Sequence, residues 1–372
     1  MINQPPDRLT RLRAAMRPAG IDVLAVVPGA NMRYLPGLEI HMSERIGVAF
    51  IAADQNATSA MVLPTLETPR AKAQARFPIT FYSWDDADGP ADALRRCVAE
   101  LGLAGKRIGI EYTAMRVLEL RAIEAAAAGA QTVDATAMIA ELRMVKDDQE
   151  LAAMRRAVAV VEAALGAAVA QIRAGMTELE LAAVWEREMR ARGGEPSFGT
   201  IIASGPNAAN PHHSNSERAF QPGDFIIMDG GVWNDGYASD ITRTIALGQP
   251  SEQARAIYEL VQGANAAGRR YARPEATGEE IDQATRKVIA DGGYGQYFIH
   301  RTGHGLGLEI HEPPYIVAGS LEPLAPGTTF TIEPGVYVEG VCGVRIEDDV
   351  VITTAGAETL TSFERNLIII NP

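Results

Sequence analysis

The sequence predicts two domains, a smaller α/β domain over residues 1–145 and a larger α+β domain over 146–372 built from two similar halves. Three observations predict this. The chain has 372 residues, which suits two or three cores at roughly 100–200 residues per domain. About the first 140 residues alternate short apolar runs with helical patterns, the signature of an α/β layer arrangement. The remainder contains an internal repeat. PGDFIIMDGG (222–231) and PGTTFTIEPG (326–335) align without a gap at an offset of 104 residues. Pro-Gly opens both, an acid holds the eighth position of both, and Gly closes both.

In the first domain DVLAVV (22–27), RIGVAFI (45–51), SAMVL (59–63) and KRIGI (106–110) read as strands. Segments 8–16, 91–102 and 116–129 have apolar residues at helical spacing, and Gly102 and Gly129 supply stops. Trp84-Asp85-Asp86 reads as a loop. A long helix over about 147–173, with Asp147 and Asp148 as N-cap candidates, opens the second domain. TELE (177–180) has the form of a capping box and starts a helix that stops near Gly193-Gly194. TGEE (277–280) repeats that start. The expected plan is two helix-plus-hairpin halves related by a pseudo-two-fold.

Composition excludes several function classes. The net charge is −13, opposite to what a phosphate-gripping surface needs, so no nucleic-acid partner is expected. Cys97 and Cys342 form no disulfide framework and no Cys-based zinc site. The start MINQPPDRLT lacks the features of a signal peptide. The Ala/Val-rich stretch 157–172 is interrupted by Glu162 and is too short to span a bilayer. The expectation is a cytoplasmic protein with no membrane partner.

Both repeat segments open acidic hairpins. A turn centred between Asn234 and Asp235 would place Asp229 directly opposite Asp240. A turn centred on Gly340 would place Glu333 opposite Glu347, with Pro334 disturbing ideal pairing. Opposed like charges destabilise an antiparallel pair, and in apolar strands they require protonation or bound cations. Four carboxylates carry about −4 and two divalent metals about +4, so the charge closes on a two-metal site. Solvated strand ends are the plain alternative. Histidine is the expected complement, and FIHRTGHGLGLEIHEPP (298–314) holds His300, His304 and His311.

These segments resemble the pita-bread metallopeptidases, namely prolidase (Xaa-Pro dipeptidase), Xaa-Pro aminopeptidase, methionine aminopeptidase and the metal-free creatinases. The matching motifs are MDGG with NDGYASDITRT, GHGLGLEIHEPP, TIEPG and GVRIEDD, spread over about 145–370. NMRYLPGLEIHMSERIGVAFI (31–51) resembles the creatinase-type N-terminal domain of prolidases and Xaa-Pro aminopeptidases, which methionine aminopeptidases generally lack. The resemblance implies a pita-bread catalytic domain behind that domain.

It also implies residue roles. Asp229 would chelate one metal, Asp240 and Glu347 would bridge both, and His304 and Glu333 would complete the second site. His212, with His213 as runner-up, would face the substrate. His311 would steady the tetrahedral intermediate, His300 would line the pocket, and Arg345 would help hold the substrate carboxylate. Glu333 would carry the proton from water to the leaving nitrogen. The cofactors implied are two divalent ions per chain, Mn²⁺ first, with Co²⁺, Zn²⁺ or Fe²⁺ as alternatives. The implied partners are small proline-containing peptides and a second copy of the chain in a homodimer. The implied activity is cleavage before proline in Xaa-Pro dipeptides. An Xaa-Pro aminopeptidase acting on longer peptides and a creatinase-like C–N hydrolase are the rivals. Phe198 and Tyr237 are candidates for the proline-ring pocket.

Overall fold

A computed structural model describes residues 7–372. Residues 1–6, part of the start read for a targeting signal, lie outside the described residues. The chain divides into two compact units, the first ending at Arg143 and the second spanning Met144–Pro372.

The first unit is built on a six-stranded mixed sheet. Its spatial order is Ile79–Trp84, Ser59–Pro64, Val48–Ala52, Val23–Val26, Arg107–Ile110 and Gln131–Asp134. The four inner strands are the four apolar runs read from the sequence. Both edge strands escaped that reading, because an edge strand is half-exposed and lacks a continuous apolar run. Trp84 therefore ends a strand and does not open a loop. Its buried indole N–H donates to the Ile46 carbonyl at 3.2 Å. Gly102 stops helix Ala91–Leu101 in the left-handed conformation, with φ of 60°.

Four helices frame the second unit. Asp148–Val169 starts from a capping box on Asp147 and stops four residues before Arg173. Glu178–Ala191 and Gly278–Asp291 each have 14 residues and start from capping boxes on Thr177 and Thr277. Glu252–Tyr271, capped by Ser251, completes the set. Among the described residues no helix is long and apolar enough to cross a membrane.

Each half adds a sheet to its helix pair. The first has spatial order Ile369–Ile370, Ile241–Leu247, Phe225–Gly230 and Ile201–Ser204. The second has Glu312–Ile316, Gly303–Gly305, Thr329–Ile332, Asp348–Thr353 and Gly356–Thr359. Trp185 and Met189 pack on Met228 and Ile241 in the first half, and Ile281 packs with Phe330 and Ile332 in the second.

A seam joins the halves. Glu347 N–H donates to the Thr242 carbonyl at 3.0 Å, and Arg345 N–H donates to Thr244 Oγ1 at 3.1 Å. Buried Arg243 reaches across to the Glu347 carbonyl at 2.6 Å and to Asp348 Oδ1 at 2.9 Å. Asp348 also pairs with Arg365 at 2.8 Å.

Truncating fully buried Trp185 to Ala should destabilise the second unit by about 3–5 kcal/mol. Thr277→Ala, which removes one cap, should cost about 1 kcal/mol. Urea unfolding followed by circular dichroism checks the ratio, and equal losses would contradict this account of the core.

Candidate metal centre

The first acidic hairpin pairs in a register other than the one expected. Asp235 and Gly236 both take positive φ, 48° and 78°, and form the two-residue turn that Asp-Gly favours. The turn centre lies one residue further along, between Asp235 and Gly236. Asp229 consequently pairs with Thr242, not Asp240. Because this shift changes partners by two residues, Asp240 stays on the same face, diagonal to Asp229. In the second hairpin the expected register holds on both flanks. Ile332 pairs with Asp348 and Gly335 with Arg345. Between them Ile346 N–H reaches the Pro334 carbonyl at 3.3 Å, which leaves Glu333 and Glu347 at opposite positions where the ladder opens.

The seam brings the acids together. Asp240, His304 and Glu347, all buried, place one ligand atom each within 4.8 Å of one another. His304 Nε2 lies 3.4 Å from Glu333 Oε1 and 3.9 Å from Asp240 Oδ2. His304 Nδ1 lies 3.1 Å from the Gly305 carbonyl. A carbonyl only accepts, so Nδ1 carries the proton and the Nε2 lone pair faces the acids. Arg345 Nη2 donates to Asp229 Oδ2 at 2.5 Å, Nη1 to the Tyr337 hydroxyl at 2.9 Å and Nε to Thr242 Oγ1 at 3.2 Å. That leaves Arg345 about two N–H bonds for a ligand.

One cavity of about 600 Å³ opens onto this cluster. Its walls include all four acids, His212, His300, His304, His311, Arg301, Arg345 and Phe198. His213 instead bonds Glu178 at 2.7 Å. Tyr237 turns its hydroxyl to Glu150 at 2.8 Å and is absent from the walls. His311 stands edge-on to His304, ring centroids 4.2 Å apart. Sequence reasoning passed over Thr242 and Tyr337. Thr242 donates to Glu347 Oε2 at 2.6 Å, and the Tyr337 hydroxyl lies 2.9 Å from His300 Nε2. Thr242 lies two residues from Asp240, hence on the same face, and that spacing was the available signal.

Comparison with known proteins bears on this arrangement. Residues 152–354 match metallopeptidase family M24, and residues 8–145 match the creatinase/prolidase N-terminal domain. The chain belongs to metallopeptidase family M24. A dipeptidase from Pyrococcus horikoshii OT3 superposes with a TM-score of 0.92 at 39% identity, covering 98% of this chain and 100% of that one. The probable dipeptidase PepE of Mycobacterium tuberculosis is 36% identical over 366 residues, 98% of this chain and 96% of its own length. The Xaa-Pro dipeptidase of Pyrococcus furiosus is 35% identical over 365 residues, 97% of this chain and 99% of its own. The fold is the pita-bread arrangement behind a creatinase-type domain.

The donor set of this M24 chain fits the divalent metals its family implies. Asp229 Oδ1 and Asp240 Oδ1 are buried and have no hydrogen-bond partner among the described residues. A buried carboxylate oxygen left so is strongly unfavourable without a cation. Burial first, then the neighbouring acids, pushes the Asp240 and Glu347 carboxyls far above their ordinary range. Burial lifts Glu333 to about 7. Burial, with His311 alongside, lowers His304 to about 3 and keeps it neutral.

An acid whose folded pKa is raised stabilises the fold below its unfolded pKa, and that contribution is lost as pH rises through the folded value. For Glu333 the window runs from about 4.3, its unfolded value, to about 7. Chelator-treated protein should therefore lose melting temperature between those pH values, and saturating Mn²⁺ should flatten the slope and raise Tm. Thermal melts across pH with and without metal check this. Identical slopes would mean that these acids do not hold the ion.

Proposed function

We propose that this chain is a dinuclear-metal peptidase that cleaves the bond before proline in Xaa-Pro dipeptides. The observation that carries the reading is the single cavity in which four acids and His304 meet His212, His300 and His311. Asp229, Asp240, His304, Glu333 and Glu347 would hold the two ions. Bound divalent ions supply Lewis-acid polarisation and a nucleophilic water near neutral pH.

The chain's own residues do the rest. Glu333 takes a proton from the attacking water and passes it to the leaving nitrogen. His311 donates toward the oxygen that gains charge, and His212 holds the substrate beside it. His300, neutral because burial lowers it to about 4, bounds the pocket. Arg345 fixes Asp229 and offers its remaining N–H bonds to the substrate carboxylate. The proline nitrogen has no N–H to recognise, so the site must fit the ring and protonate the nitrogen. Phe198 on the cavity wall suits that contact.

An oxygen-rich set with one imidazole suits Mn²⁺, with Co²⁺, Zn²⁺ or Fe²⁺ as alternatives. Two buried free cysteines accord with a reducing, cytoplasmic setting. A homodimer and a division into functional domains at 145/146 complete the reading, both on the family resemblance.

Two measurements test it. The Mn²⁺-loaded enzyme should turn over Ala-Pro in preference to Ala-Pro-Ala, and the reverse preference would make it an aminopeptidase. Asp240→Asn should abolish turnover and lower metal content by mass spectrometry, whereas His311→Ala should keep both ions and lower kcat about 10²–10³-fold. Full metal occupancy in Asp240→Asn would remove Asp240 from the ligand set.

A further inference from the structure

Glu178 is fully buried at the first position of its helix, yet it is remote from the acid cluster in every bond it makes. Its two carboxylate oxygens collect six donors. Oε1 accepts from Ser204 N at 2.8 Å, Ser204 Oγ at 2.7 Å and Asn207 Nδ2 at 3.0 Å. Oε2 accepts from Ser216 N at 3.0 Å and Ser216 Oγ at 2.7 Å, and lies 2.7 Å from His213 Nε2. An ionised carboxylate only accepts, so with three donors on Oε1 and two on Oε2 the imidazole completes the set as the sixth donor. All six come from residues 204–216, the end of strand Ile201–Ser204 and the loop after it, which presents Pro211 and His212 to the cavity. A helix N-terminus favours the negative charge at this place.

We infer that Glu178 is a positioning residue for substrate binding: it gathers the 204–216 loop so that the neighbour of His213, His212, faces the cavity. This rests on the proposed role of His212 toward the peptide. The other half uses a similar device. Buried Asp282 accepts from Thr302 Oγ1 at 2.6 Å and from Arg286 Nε at 2.8 Å, and Arg286 donates to the carbonyls of Phe298 and His300. Asp282 lies four residues further along its helix than Glu178 does, so the function of holding a cavity histidine recurs although the position does not.

Glu178→Gln is the sharp probe, because it keeps the shape and turns an amide NH₂ toward groups that themselves donate. In Mn²⁺-loaded enzyme it should raise KM for Ala-Pro about tenfold, keep kcat within about threefold and keep the metal content. His212→Ala should raise KM likewise, and the double variant should be no worse than His212→Ala alone. Multiplying effects, or a fall in kcat and metal together, would overturn the inference. Asn207→Ala removes one donor and covers the case in which Glu178→Gln does not fold. It should raise KM about two- to threefold, and only while His212 is present; an equal rise in the His212→Ala background would count against the inference. A crystal structure of either variant reads the loop without reference to turnover, and His212 unmoved in it would overturn the inference. Failure of the wild type to cleave any Xaa-Pro dipeptide would instead remove the proposed function.

Discussion

Mutual repulsion among buried carboxylates is the constraint on which the rest of this structure depends. Asp229, Asp240, Glu333 and Glu347 face one cavity, and among the described residues its walls carry two permanent cations, Arg301 and Arg345. The imbalance is about two negative charges, smaller than the four acids alone suggest, because Arg345 is bound tightly to Asp229 and Arg301 lines the same wall. What remains unanswered by protein groups is concentrated at Asp240, Glu347 and Glu333, where burial lifts the carboxyls above their ordinary range. Such a cluster persists because the seam holds it, through Thr242 on Glu347 and Arg243 on the carbonyl of the same residue. Binding of ions and integrity of the seam are thus one problem in electrostatics.

The acids were legible in the sequence because repetition put them in matching places within strongly apolar strands. Their exact partners were not. Registry in the first hairpin turned on one dipeptide, Asp235-Gly236, whose positive φ values move the turn centre by one residue. The face survived that error because strand geometry repeats every two residues. The edge strands Ile79–Trp84 and Gln131–Asp134 were missed for a related reason, since half-exposed strands carry no continuous apolar run. Supporting groups such as Tyr337 and Glu178 were illegible because their partners lie far away in the chain. TELE announces a helix start, and nothing in those four letters says that the first Glu turns inward to a loop some 30 residues on.

The histidines illustrate how a neighbour decides a role. His212 and His213 are adjacent and chemically identical, and only contacts separate them. Glu178 claims His213, which leaves His212 for the cavity. His304 is likewise set by the Gly305 carbonyl, which fixes its proton on Nδ1 and points its lone pair at the acids. Local packing thus fixes the tautomer of one histidine and the placement of the other before any substrate arrives.

Asp229 and Asp240 come from one half of the second unit, and His304, Glu333 and Glu347 from the other. Neither half alone owns more than three of these five groups, so the pocket exists only where the two meet. With both halves on one polypeptide, its assembly is intramolecular and independent of concentration. The halves are also free to differ, so that one supplies the imidazole to the cluster while the other supplies only oxygens.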